Sequence, residues 1–137
     1  MNAFVDTNVL IDFVCRREDF YKVASIIFDL AHTRKIELSV STLSFINAYY
    51  IGVKYKHPAA EMQRCLNSVR AFVTVSSLDD DMLAKALSQG VDYVEDAAQY
   101  HSALSVYADC IVTRNKKDFA FSKIPVYSPE ELLELIL

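Results

Sequence analysis

Short β-branched or apolar runs alternating with longer helical stretches constrain this chain more than any other feature. Ala3-Phe4-Val5, Glu37–Val40, Phe72–Val75, Cys110–Thr113 and Pro125-Val126 read as strands. Between the first two, Phe20–His32 carries Val23, Ala24, Ile26, Ile27, Phe28, Leu30 and Ala31, a pattern too dense and too long for an edge strand and better read as a buried helix. Ser41 and Ser44 are N-cap candidates for a helix running to about Val53, and Pro58 opens another over about Ala59–Val69. Asp79-Asp80-Asp81 begins the next, which Gly90 closes, and Tyr93–Tyr107 and Pro129–Leu137 complete the set. Such an alternation predicts an α/β fold, a three-layer α/β/α sandwich with a mostly parallel central sheet of about five strands. The length of 137 residues fits one domain spanning 1-137, large enough to bury a core without disulfides.

The first strand stops at Asp6-Thr7-Asn8, after which Val9-Leu10-Ile11 and Phe13-Val14 resume as an apolar helix. An acid at the carboxyl end of a strand lies where open α/β sheets gather ligands. The same residue types also cap helices. Both readings of Asp6 stand on this motif alone, and other acids arriving at the same end of the sheet would decide between them.

Several function classes drop out on composition. The net charge of -4 argues against a protein that coats nucleic acid by bulk electrostatics, so any such contact must be local. Cys15, Cys65 and Cys110 form no CxxC pair and suit free thiols in a reducing cytoplasm. His32, His57 and His101 lie far apart, which disfavours zinc. No run approaches the roughly 20 apolar residues of a membrane span, and no signal peptide is evident. A cytoplasmic protein with no membrane contact is the expectation.

Four places in the sequence put polar groups at a strand end or a helix start. Asp6 follows the first strand, and Asn47 sits in the first turns of the helix after the second. Glu95-Asp96 opens the helix leading to the fourth strand, and Thr113-Arg114-Asn115-Lys116-Lys117-Asp118-Phe119 follows that strand. Each has a plain structural role open to it. Glu95 and Asp96 complement a helix dipole, Asn115 and Asp118 cap a short helix, and Asn47 occupies a solvated face.

In this order, the text resembles the PIN domain family. The likeness rests on Phe4-Val5-Asp6-Thr7-Asn8-Val9-Leu10, on Val40-Ser41 followed by Asn47, on Asp96-Ala97 with its small-residue helix, and on Ile111-Val112-Thr113-Arg114-Asn115 with Asp118-Phe119. It departs from the commonest pattern at Asn47, where most members carry glutamate, and at Asn115, where many carry aspartate. The resemblance implies an endoribonuclease that uses Mg²⁺ or Mn²⁺, leaves a 5′-phosphate and a 3′-hydroxyl, and serves as the VapC-type toxin of a toxin–antitoxin pair. It assigns Asp6 and Asp96 as direct metal ligands, Asp118 to a metal-bound water or second ion, and Asn47 and Asn115 as neutral outer oxygens. Thr113, Arg114, Lys116 and Lys117 would meet RNA phosphates, with Lys54, Tyr55, Lys56 and His57 as a second basic and aromatic patch. An antitoxin protein is the implied partner; a homodimer is expected from the high apolar fraction and the Tyr49, Tyr50 and Tyr55 cluster, and the resemblance adds to that.

Two other readings remain. An aspartyl-phosphate enzyme would suit an acid after the first strand, but the haloacid-dehalogenase pattern needs a second aspartate where this chain has Asn8, and no acidic pair precedes it as in receivers. A PIN fold that has lost metal competence at Asn47 and works as an RNA-binding or protein-interaction module is the non-enzymatic alternative.

Overall fold

A computed structural model describes residues Met1–Leu137. Its centre is a five-stranded sheet of order β3-β2-β1-β4-β5, in which all four pairings are parallel. The strands are β1 (Asn2–Val5), β2 (Glu37–Ser41), β3 (Thr74–Ser76), β4 (Cys110–Val112) and β5 (Val126–Tyr127). The helices are α1 (Thr7–Val14), α2 (Tyr21–His32), α3 (Thr42–Lys54), α4 (Ala59–Arg70), α5 (Asp80–Ser88), α6 (Val94–Ser105) and α7 (Pro129–Ile136). Short 3₁₀ turns occupy Glu18–Phe20 and Lys116–Phe119.

Side chains alternate across the sheet, and each face meets its own helical layer. Ala3 and Val5 of β1, Leu38 and Val40 of β2 and Cys110 and Val112 of β4 join the larger core, with Leu10, Ile27, Phe28, Ala48, Met62 and Leu132 from α1, α2, α3, α4 and α7. Phe4 and Ile111 point the other way, onto Tyr100 and Ala103 of α6 and Phe119. Ala86 of α5 packs on Ala97 and Ala98 of α6 and completes that second layer. The α/β/α sandwich expected from the alternation is therefore present, with a wholly rather than mostly parallel sheet.

Element ends shifted from expectation for local reasons. Phe72 was expected to open the third strand, but its N–H donates to the Val69 carbonyl in the turn that ends α4, and its ring meets His32 edge-on, so β3 starts at Thr74. The helix expected from Phe20 starts one residue later, because Glu18–Phe20 form a separate 3₁₀ turn. The fifth strand is Val126–Tyr127 rather than Pro125-Val126. The last helix starts where its sequence indicates: Ser128 accepts from the Glu131 N–H while the Glu131 carboxylate accepts from the Ser128 N–H, and Pro129 fills the first turn. Gly52 lets α3 and α4 approach closely, since a Cβ there would lie 2.5 Å from the Met62 Cε.

Candidate functional site

Asp6 fills the capping role that its sequence position left open. It is the N-cap of α1, its Oδ1 accepting from the Thr7 N–H at 2.8 Å. Its Oδ2 accepts from the Thr113 hydroxyl at 2.9 Å and from the Asn8 amide at 3.3 Å, which ties the end of β1 to the end of β4. The Gln99 amide of α6 reaches Oδ1 at 3.4 Å. Only 8% of Asp6 is exposed. Burial pushes its carboxyl up from the usual carboxylate range, against the lowering pull of Thr113, Thr7 and Gln99, and the nearby Asp118 charge adds to the rise.

Asp96 stands in the first turn of α6, where a helix N-terminus favours an acid. Its carboxyl is nevertheless pushed up to about 7, first by burial and then by the charges of Asp6, Asp118 and Glu95. Asp118 lies in the Lys116–Phe119 turn, its N–H donating to the Asn115 carbonyl. Three acids from distant parts of the chain thus come close enough to repel one another. Asn115 is held through its backbone, its N–H donating to the Thr113 hydroxyl at 3.1 Å. Asn47, on α3, donates its side-chain N–H to Glu95 Oε1 at 2.9 Å and so bridges α3 to α6 beside Asp96.

Two of the three cations expected to meet phosphate, Arg114 and Lys116, have partners of their own. Arg114 grips Asp12 through Nε at 2.7 Å and its terminal nitrogen at 3.1 Å, with the guanidinium 3.9 Å above the Phe20 ring. Lys116 Nζ pairs with Glu131 Oε1 at 2.8 Å and joins the turn to α7. Lys117 and Asp118 line a shallow depression with Asp92 and Tyr93. Arg17 lies over the Tyr55 ring at 5.8 Å, and together with Cys15 and His57 these residues line a second depression. Thr113 is fully buried, and its hydroxyl joins Asp6, Asn8 and Asn115.

Two residues at the heart of this arrangement were missed in the sequence. Asp12 interrupts the apolar run Leu10-Ile11-Asp12-Phe13, and a charge in a buried stretch demands a partner; that signal was available. Gln99 sits among the small residues of α6 and carries no comparable mark.

The donor set is made of oxygens, the kind that hard divalent cations take. No three His, Cys, Asp or Glu side chains are grouped so as to hold an ion unaided. Mg²⁺ needs only one or two protein carboxylates, with water and phosphate completing its shell. The mutual repulsion of Asp6, Asp96 and Asp118 is what a bound cation would relieve, so the residues present fit such an ion.

A parallel five-stranded sheet between two helical layers, with acids gathered past the ends of β1 and β4, defines a class of small α/β proteins. The family model for the PIN domain matches residues 2–117, and the chain belongs to the PIN domain family. Its fold is similar to VapBC2 from Rickettsia felis, solved bound to a DNA fragment from its promoter, with 17% identity, a TM-score of 0.66, and coverage of 93% of this chain and 98% of that one. A toxin–antitoxin complex from Klebsiella pneumoniae gives 24% identity and a TM-score of 0.67 over 93% and 97% of the two chains. VapC20 of Mycobacterium tuberculosis, a sarcin–ricin loop cleaving toxin, gives 12% identity and 0.58 over 80% and 86%. No curated protein matches the chain. No helix is long and apolar enough to cross a membrane.

Proposed function

We propose that residues 1–137 act as one domain, a divalent-metal-dependent endoribonuclease and the toxin member of a toxin–antitoxin pair. The observation that carries this reading is the convergence of Asp6, Asp96 and Asp118, whose charges, after burial, help to push the Asp96 carboxyl up to about 7. Family membership and structural likeness to toxin–antitoxin complexes support the same reading.

Asp6 and Asp96 would hold Mg²⁺ or Mn²⁺, with Asp118 orienting water at its edge and Asn115 and Asn47 lending neutral oxygens. When bound, the ion lowers the pKa of an attacking water and offsets charge gathering on the phosphate. Asp6 is fixed by four neutral donors, so its carboxylate would be held in one orientation for the ion. Thr113 holds the β4 end against Asp6 and positions the Asn115 backbone. Without the ion the clustered acids repel a polyanion, so metal serves RNA binding as well as cleavage. Lys117 is the cation best placed for a phosphate, and Lys116 can exchange Glu131 for one. Arg17, Tyr55, Lys54, Lys56 and His57 offer a second patch for cations and base stacking.

Incubating the purified chain with a structured RNA tests this directly. Cleavage is expected with Mn²⁺, lost on EDTA and restored by excess Mn²⁺; RNA that stays intact at saturating Mn²⁺ overturns the enzyme reading. The absence of any three-residue metal cluster favours a second one, a PIN fold retained as an RNA-binding or protein-interaction module. An antitoxin is the expected protein partner in either case.

A homodimer belongs to the same proposal. Ile46, Tyr50 and Val53 leave an apolar stripe on the outside of α3, with Tyr50 67% exposed, while Tyr55 past the helix end turns toward Arg17 and Tyr49 packs against the core. Aromatic anchors of this kind are typical of interface centres. Sedimentation equilibrium at tens of micromolar is expected to give twice the 15.5 kDa chain mass; a monomer mass removes the dimer.

A further inference from the structure

We infer that Gln99 is a positioning residue of the proposed metal site, joining the Asp6 carboxylate and the helix that carries Asp96 into one unit through a buried carboxamide. The inference rests on the metal-dependent reading above, but part of its test does not. Gln99 is fully buried, and a carboxamide removed from water is costly unless its hydrogen bonds are replaced. Here its Oε1 accepts from the Ser41 hydroxyl at 2.5 Å. Its Nε2 lies 2.7 Å from Ser44 Oγ, 3.1 Å from Thr7 Oγ1 and 3.4 Å from Asp6 Oδ1. Two amide hydrogens serve three oxygens, and one of the Thr7 and Ser44 hydroxyls, 2.7 Å apart, donates to the other.

Those partners belong to the end of β1, the start of α1, the end of β2 and the first turn of α3. Gln99 stands three residues beyond Asp96 on α6, so the two share a helix face. A shift of α6 would move Asp96 and pull on Asp6 together. An apolar side chain would fill this position without desolvating an amide, so filling space does not explain glutamine here.

The chain treats its two buried aspartates differently. Asp12 is neutralised by the guanidinium groups of Arg114 and Arg17. Every donor to Asp6 is instead neutral: the Thr7 N–H, the Thr113 hydroxyl and the Asn8 and Gln99 amides. A lysine or arginine in place of Gln99 would cancel the charge a divalent cation needs. Glutamine orients the carboxylate and leaves that charge intact.

The test compares the native chain with Gln99→Met, Gln99→Asn and Ser102→Ala. Ser102 is also buried on α6, one turn on, but bonds Ser76 and the Ser77 carbonyl rather than Asp6. Mn²⁺ alone is titrated by calorimetry, and metal-free crystals report the Asp6 orientation. Gln99→Met and Gln99→Asn, which keeps an amide but withdraws it by one methylene, are expected to lose affinity by about tenfold or more, as for residues that orient metal ligands. Their Asp6 carboxylate should rotate away from its native position. Ser102→Ala should lose stability while keeping Mn²⁺ affinity within about twofold, since it touches no ligand. An unmoved Asp6 carboxylate in the folded Gln99 variants overturns the inference, as does an equal affinity loss in Ser102→Ala. If Gln99→Met does not fold, Gln99→Asn decides. A native chain that binds no Mn²⁺ defeats the ribonuclease reading, and the Asp6 orientation then judges Gln99 by itself.

Discussion

Asp6→Asn and Asp96→Asn should each remove Mn²⁺-dependent RNA cleavage while leaving a folded protein. A metal's charge stabilisation is worth several kcal/mol, and its loss corresponds to about a thousandfold or more in rate. Their stabilities should part company. Asparagine caps a helix as well as aspartate does, but its amide would face the Asn8 amide and a Thr113 hydroxyl that already accepts from Asn8 and Asn115, so Asp6→Asn should melt roughly 3–8 °C below the native chain. Asp96→Asn removes a charge that burial and three neighbouring acids disfavour. Its metal-free form should therefore melt a few degrees higher, roughly 2–5 °C. Neither variant should keep the native Mn²⁺-induced rise in melting temperature, because a ligand stabilises only a state it binds. Thermal melts with and without Mn²⁺, beside a cleavage assay at saturating Mn²⁺, check both halves. Native-level cleavage by either variant would remove that residue from the site.

Asp12→Ala should be the most destabilising of the polar substitutions. The Asp12 side chain is 2% exposed and lies between Arg114 and Arg17. Removing one partner of a buried pair strands the other, at a typical cost of about 3–5 kcal/mol. Arg114 keeps 23% of its side chain in solvent, which places the expected loss near the lower end, about 3 kcal/mol or roughly 10 °C. Arg114→Ala should lose a similar amount by stranding the carboxylate. Arg114→Lys should fall between, since an ammonium keeps the charge but not the two-pronged fork or the stacking on Phe20. Urea melts of the three variants give the answer. A midpoint for Asp12→Ala equal to the native one would show the pair to be a surface contact.

The layered, parallel architecture was legible because strands that alternate with helices leave few topologies open, although the order of the strands was not read. Short strands blurred at their ends: at Phe72 the apolar pattern continues unbroken from a helix end into a strand, and only the hydrogen bond to Val69 tells them apart. The acids could be read as a set because each falls where a strand stops or a helix starts. Their supports could not. Gln99 looks like a polar residue on a small-residue helix until α3 and β1 close around it, and Arg114, beside Thr113 and Asn115, looks like a phosphate ligand until Asp12 arrives from α1. Tertiary partners decide such roles, and a linear pattern carries no record of them.

β1 lies at the middle of the sheet, paired with β2 on one side and with β4 on the other. Its partner in β4 is more than a hundred residues away along the chain, as in the pairing of Ala3 with Cys110. Contacts of such high sequence separation form late and slow folding down, because loop entropy must be overcome before they are rewarded. Asp6 therefore leaves the ribosome long before Thr113 and Asp118 exist to meet it. A nascent chain thus carries its first acid without the groups proposed to complete the site, and their meeting waits until synthesis has passed Asp118.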